Sequence, residues 1–309
     1  MRRGSREPPL APGMHEGRGM TFRRQAMALG LLGGFAALGA CDHRTPTAEG
    51  AGPPARTARP RPRVPFVVPG DESIPAGADG DGIRLGRDLA TRTFELLPAH
   101  VGSALHCTSC HLAGGTTPDA GPWVGVTSVY PEYRSRAARE ITVEERINEC
   151  FERSVNGTPL PPASAEMRAL VAYMTWLSAG VPRGAEVAGR GFARRPRPPN
   201  VDSDAGRNSY GARCASCHGI TGGGRQSPDG SYSVPPLWGP RSFNIGAGMA
   251  RLDTAAAFVR QSMPLGASEK LTTCESYDIA AYFTEQPRPD FAGKSRDWPQ
   301  GGKPRDARY

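Results

Sequence analysis

Two copies of one pentapeptide set the terms for this chain: CTSCH at Cys107–His111 and CASCH at Cys214–His218. In a CxxCH motif the two thiols can add to the vinyl groups of a porphyrin, and the imidazole that follows ligates the iron from one face. A single copy could equally be a redox dithiol or half of a zinc site. Two copies behind an export signal point instead to two covalently bound haems c. Cys107, Cys110, Cys214 and Cys217 are then the thioether anchors, and His111 and His218 the proximal iron ligands.

The motifs begin at Cys107 and Cys214 in a chain of 309 residues, which leaves room for one small domain around each. With Gly 39 and Pro 31, and aromatics at only 7%, the polypeptide alone is poorly equipped to build large cores. Haem supplies the missing apolar surface. The net charge of +8 would suit a nucleic-acid binder, but residues 1–63 hold eleven Arg against four acids, leaving the rest of the chain at +1. Four haem propionates would make that remainder slightly negative, and a nucleic-acid partner is excluded on this arithmetic.

Residues 1–41 form a signal region. Translation is expected to begin at Met20, which is followed by TFRR and an apolar run from Ala26 to Leu38, a basic segment and a hydrophobic segment of export-signal proportions. The run is too short and Gly-rich for a membrane span. It ends in LGAC, which resembles a bacterial lipobox and makes Cys41 the expected lipidation site, with an ordinary cleaved signal as the alternative. Residues 42–70, rich in Pro, Arg and Ala, read as a disordered tether. The expected location is the periplasm, anchored to a bacterial membrane by lipid.

Past the tether the chain repeats itself. A first domain spans 71–180 and a second 201–309, joined by the Pro/Arg/Gly-rich stretch 181–200, which composition places over the surface as a linker. The first opens near Ile83 with GIRLGRDLATRTFELL, apolar at helical spacing; the second opens with SDAGRNSYGARCASCH, where Gly206 and Tyr210 share a helix face. The latter resembles the N-terminal helix of class I cytochromes c, whose glycine admits a close crossing by the C-terminal helix. Matching C-terminal helices appear as EMRALVAYMTWLS and TCESYDIAAYFTE. Tyr173 follows His111 at the same interval, to within two positions, as Tyr282 follows His218. The fold class is therefore all-α: two class I cytochrome c-like domains in tandem, each with one haem.

A haem held by one His needs a second ligand or an open site for chemistry. In the second half the choice is Met263 in QSMPLG, upstream of Tyr282, with Met249 as runner-up. Moving back by the same interval from Tyr173 in the first half lands at Ser154, where no methionine is near; Met167 and Met174 lie inside the terminal helix, where they pack. The soft ligand in that neighbourhood is Cys150. A capping box at Thr142–Glu145, a stop at Asn156–Gly157 and the stripe Val143, Ile147, Phe151 and Val155 predict a helix that turns Cys150 inward, with Arg146 and Arg153 beside it. Those arginines could form an anion pocket, or a solvated face with a Glu149–Arg153 ion pair. Cys150 could alternatively pair with Cys274, and Cys274, behind the box Thr272–Glu275, is a rival reactive thiol.

Over about Ile74 to Pro299, the segments CTSCHLAGGTTPDAGPWVGVTSVYPEYRSR, RINECFERSVNGTPLPPASAEMRALVAYMTWLS, PPLWGPRSFNIGAGMARL and MPLG resemble the dihaem cytochrome c thiosulfate dehydrogenases, which form tetrathionate. The resemblance implies His111/Cys150 ligation of the first haem, with Cys150 the catalytic thiol, and His218/Met263 ligation of the second. It implies oxidation of two thiosulfates to one tetrathionate, reversible in principle, with electrons running from the first haem to the second and on to an external acceptor such as a small cytochrome c. Some members exchange a lysine for the methionine, but Ser262 precedes Met263 here. Joining two dianions needs offsetting cations, for which Arg146, Arg153, Arg134 and Arg136 are nominated. Two other readings remain: a membrane-tethered dihaem electron carrier without substrate chemistry, and a thiosulfate-conjugating haem subunit. Fusion of the second module in the same chain argues against the latter.

Overall fold

The computed structural model describes residues 61–267 and 270–309; the expectations for Met20 and Cys41 lie outside these residues. The described chain is helix-rich, with strands confined to three two-stranded ribbons. None of its helices is long and apolar enough to cross a membrane.

One arrangement occurs twice. Helix Ala78–Thr91 crosses helix Ala165–Leu177, and helix Ser203–Arg213 crosses helix Thr273–Glu285. Both crossings run over a glycine. A Cβ on Gly86 would lie 2.0 Å from the carbonyl oxygen of Ala169, and one on Gly206 would lie 1.9 Å from that of Asp278, so any larger residue forces the helices apart. The first helix starts at Ala78, ahead of the apolar periodicity that begins at Ile83. Ser164, Asp202 and Thr272 cap the other three through their side-chain oxygens.

Helix Val143–Arg153 starts at the expected capping box: Thr142 accepts from the Glu145 N–H, and Glu145 reaches back to the Thr142 N–H. Val143, Ile147, Phe151 and Val155 are all buried, Phe151 to 2% exposure. Each such side chain contributes about 1.5–3 kcal/mol on removal from water, which fixes the rotation of the helix. Its C-terminal end is finished from the second half of the chain. The Asn244 side chain donates to the Glu152 carbonyl at 2.8 Å and to Asn156 Oδ1 at 3.0 Å, and its N–H donates to the Arg153 carbonyl at 3.1 Å. Carbonyls that a helix leaves unpaired are thereby satisfied by a residue 2% exposed.

Two segments are more ordered than their composition suggests. Arg63–Val64, inside the expected tether, pairs in parallel with Glu186–Val187, inside the expected surface linker. Val187 is buried, and Ala120 bridges to Phe192. Residues 185–193 thus lie against the first half rather than over it. Strand pairing uses backbone groups alone, so the low apolar content of these stretches does not prevent it.

Candidate active site

The first CxxCH motif is gripped from both ends. The buried Thr93 hydroxyl accepts from the Cys107 N–H at 3.0 Å. Nδ1 of His111 bonds to the carbonyl oxygen of Gly121. A carbonyl can only accept, so Nδ1 is the donor there, and Nε2 is the ring nitrogen left to face the cavity. The imidazole lies 4.8 Å from the Trp123 ring, and Trp123 meets Tyr173 edge-on. The 185–193 segment clamps the same loop, since the Asp119 and Gly121 N–H groups each donate at 2.7 Å to the carbonyls of Gly189 and Gly191.

Cys107, Cys110, His111 and Cys150 line one cavity of about 590 Å³. Cys150 is a half-buried free thiol and is therefore not the disulfide partner of Cys274. Cys274 is itself bonded and is not a rival free nucleophile. Nη1 of Arg146 donates to Cys150 Sγ at 3.1 Å. Burial pushes the Cys150 thiol up, but the Arg146 charge and a hydrogen bond with His111 outweigh it and bring the group down to about 7. Burial raises Cys107 to about 11 and Cys110 to about 12. Three thiols in one cavity therefore differ in character: two stay protonated and one is poised to ionise. Met167, the rival ligand, is fully buried in the core away from the cavity lining, whereas Met174 forms part of its wall.

All four nominated arginines line the cavity, in different company. Arg146 bonds Cys150 and also stands 3.4 Å from Glu149. Arg134 pairs with Glu132 at 3.1 Å, and Arg190 joins the same carboxylate at 2.9 Å. Arg153 is 8% exposed and bonds Asp297 at 2.9 Å, not Glu149; of the two alternatives, the solvated i,i+4 pair does not form, because the side chain turns inward over Phe291. Arg136 reaches the other oxygen of Asp297 at 3.6 Å and donates to the Gly246 carbonyl at 2.7 Å. Asp297 thus compensates two of the four charges. Its place in the C-terminal tail, remote in sequence from both arginines, left no local signal. Arg190, Arg194, Arg251 and Trp298 line the same cavity and were equally invisible to spacing arguments, because the linker and the second half bring them in.

The second motif repeats the first's local chemistry. His218 Nδ1 bonds to the Pro235 carbonyl at 3.0 Å, and burial lowers its pKa, which favours the neutral, ligating imidazole. Tyr210 donates to the Gly219 carbonyl at 2.7 Å and packs at a tilt against Trp238 and Tyr282. Cys214 is half-buried and Cys217 exposed. Met263, immediately after helix Leu252–Ser262, and Met249 are both half-buried against the core.

The two thiols of Cys107 and Cys110 and the imidazole of His111 on one cavity are the donor set that covalent haem c requires, and Cys150 adds a further soft donor on the same cavity. A family model of the SoxA/TsdA cytochrome c domain matches residues 99–183. The chain is 44% identical over 241 residues to a thiosulfate dehydrogenase of Psychrobacter arcticus, covering 78% of this chain and 74% of the relative. It is 44% identical over 240 residues to a thiosulfate dehydrogenase of Allochromatium vinosum, covering 76% of this chain and 89% of that one. The solved thiosulfate dehydrogenase TsdBA from Marichromatium purpuratum superposes with a TM-score of 0.71 at 39% identity, over 74% of this chain and 50% of that chain. Motif, cavity and matched domain together define a c-type cytochrome. Within that class, the chain belongs to the thiosulfate dehydrogenase family.

Proposed function

We propose that this protein is a tandem dihaem cytochrome c that oxidises two thiosulfates to one tetrathionate and passes the two electrons to an external acceptor. The observation that carries the reading is the Cys150 thiol, free, facing His111 across the cavity and held 3.1 Å from Arg146. An electron carrier without substrate chemistry has no use for a cation that stabilises a thiolate at its haem.

Haem c, which Cys107, Cys110 and His111 would hold with Cys150 as a further donor, would supply one-electron acceptance; a second haem, which Cys214, Cys217 and His218 would hold with Met263 as a further donor, would supply the exit. A thiolate donor would lower the potential at the first site and a methionine would raise it at the second, a bias that would favour electron flow toward the second. The chain's own part is covalent catalysis. The Cys150 thiolate bonds the sulfane sulfur of one thiosulfate, and two electrons leave as that S–S bond forms. A second thiosulfate attacks the same sulfane sulfur; the bond to Cys150 breaks, tetrathionate departs and the thiolate is regenerated. Arg146 stabilises Cys150 both as nucleophile and as leaving group, and Arg134, Arg136 and Arg153 moderate the repulsion between dianions. The reverse reaction, tetrathionate reduction, uses the same groups. The basic segment and apolar run ahead of Cys41 read as an export signal and support a periplasmic location, where a small cytochrome c is a suitable acceptor.

The adduct is the discriminating species. Mass analysis of the Cys150 peptide after oxidised holoprotein meets one equivalent of thiosulfate should show a gain of one thiosulfate, lost again on adding excess thiosulfate. An unmodified Cys150 peptide during demonstrable turnover would rule the covalent route out.

A further inference from the structure

One wall of the Cys150 cavity carries two arginines that form no ion pair among the described residues. Arg194, in the segment that clamps the His111 loop, and Arg251, just ahead of helix Leu252–Ser262, both line it. Each aims an Nη2 at the same acceptor, Thr254 Oγ1, at 3.4 and 3.3 Å. Among the described residues neither guanidinium forms an ion pair, unlike Arg134 and Arg190 on Glu132 or Arg136 and Arg153 on Asp297. The nearest carboxylates, Asp253 and Asp306, are engaged by Arg197. Arg251 Nε is buried without an acceptor. Thr254 is 4% exposed, and its own O–H donates to no described acceptor.

Two like charges that converge on one neutral hydroxyl repel each other, and taking the half-buried Arg251 partly out of water is costly unless an anion joins it. Burial pushes Arg251 below its usual pKa; attraction from Asp306 and Asp253 works against this and repulsion from Arg194 and Arg134 adds to it. The donors left over, two planar guanidinium forks and one hydroxyl, match the oxygens of a planar or tetrahedral oxyanion.

We propose that Arg194, Arg251 and Thr254 form an oxyanion clamp in the cavity wall, contributed by the linker and the second half of the chain to the first half's site. Its ligand is a carboxylate or sulfonate: a propionate of the haem held at His111, or the sulfonate end of thiosulfate. The sulfonate source rests on the proposed function; the carboxylate source does not.

The test compares holoprotein with Arg251→Gln, Arg194→Gln and charge-preserving Arg251→Lys variants, reading two quantities. One is the midpoint potential of the Cys150-side haem by spectroelectrochemistry; the other is the thiosulfate concentration that half-saturates the change in its absorption spectrum. A propionate ligand predicts that both Gln variants lower the potential, because a cation near the haem is lost, with half-saturation unchanged. A sulfonate ligand predicts that half-saturation rises about tenfold or more, the usual worth of a charge-assisted hydrogen bond, whatever the potential does. Arg251→Lys should retain most of either effect. Both quantities unchanged in both Gln variants, with two haems attached, would overturn the clamp. If Arg251→Gln does not accumulate with haem, Arg194→Gln carries the same test, since that residue is exposed. A parent protein that makes no tetrathionate sinks the proposed function, whereas a potential shift in the variants still upholds the clamp.

Discussion

Replacing Arg146 by Gln removes a cation in contact with Cys150 while keeping a side chain of similar reach. At the 3.1 Å separation seen here, bare Coulomb attraction at an effective dielectric of about 20 amounts to about 5 kcal/mol. Arg146 is 35% exposed, so water screens it, and the measured worth of charge-assisted hydrogen bonds, about 1.5–3 kcal/mol, is the better guide. The variant should therefore lose about 10- to 150-fold in kcat/KM for thiosulfate. Steady-state ferricyanide reduction at fixed ionic strength reads this, with absorption spectra confirming both haems. Arg146→Lys, which keeps the charge but loses the fork, should fall between parent and Gln variant. A Gln variant within twofold of the parent would refute the view that Arg146 activates the thiol.

Asn244→Ala removes the two side-chain hydrogen bonds to Glu152 and Asn156 at the buried end of the Cys150 helix, and the one Oδ1 accepts from the Gly246 N–H, while keeping the backbone bond to Arg153; it should cost about 2–4 kcal/mol, read as a lowered thermal midpoint with haem content preserved. Gly86→Ala places a methyl group 2.0 Å from a carbonyl oxygen and should destabilise by at least about 1–3 kcal/mol or prevent haem loading, whereas Gly82→Ala, where a Cβ meets nothing, should not. Burial raises the pKa of Glu132, but Arg190, with Arg134 and Arg61, outweighs it and holds the carboxyl below its ordinary 4.5. The stabilisation is fully present above that value and is lost as pH falls through the depressed one. Glu132→Gln should thus be less stable than the parent at pH 7, with the gap closing in acid; a gap that stays constant through the acid branch would contradict it.

The legible parts of this protein were those set by local chemistry. The Thr142–Glu145 box, the stripe ending at Val155 and the Gly206 crossing follow from side chains a few residues apart, and counting back from the AY pair led to Cys150 because the two halves repeat. The rest depended on contacts distant in sequence. Backbone pairing of Arg63–Val64 with Glu186–Val187 leaves no side-chain pattern. Asn244 finishing a helix of the other half, and Asp297 holding Arg136 and Arg153, arise only once the second half docks on the first. The arginines were found from the sequence as cations near a thiol, but which of them remain uncompensated was decided by tertiary partners.

The most direct measurement is thiosulfate-dependent ferricyanide reduction by haem-loaded protein beside Cys150→Ala, with tetrathionate assayed as product. The account predicts one tetrathionate per two thiosulfates in the parent, and its disappearance in the variant while both haems stay attached. Tetrathionate formed equally by both proteins would place the chemistry on another group, and none from the parent would leave an electron carrier.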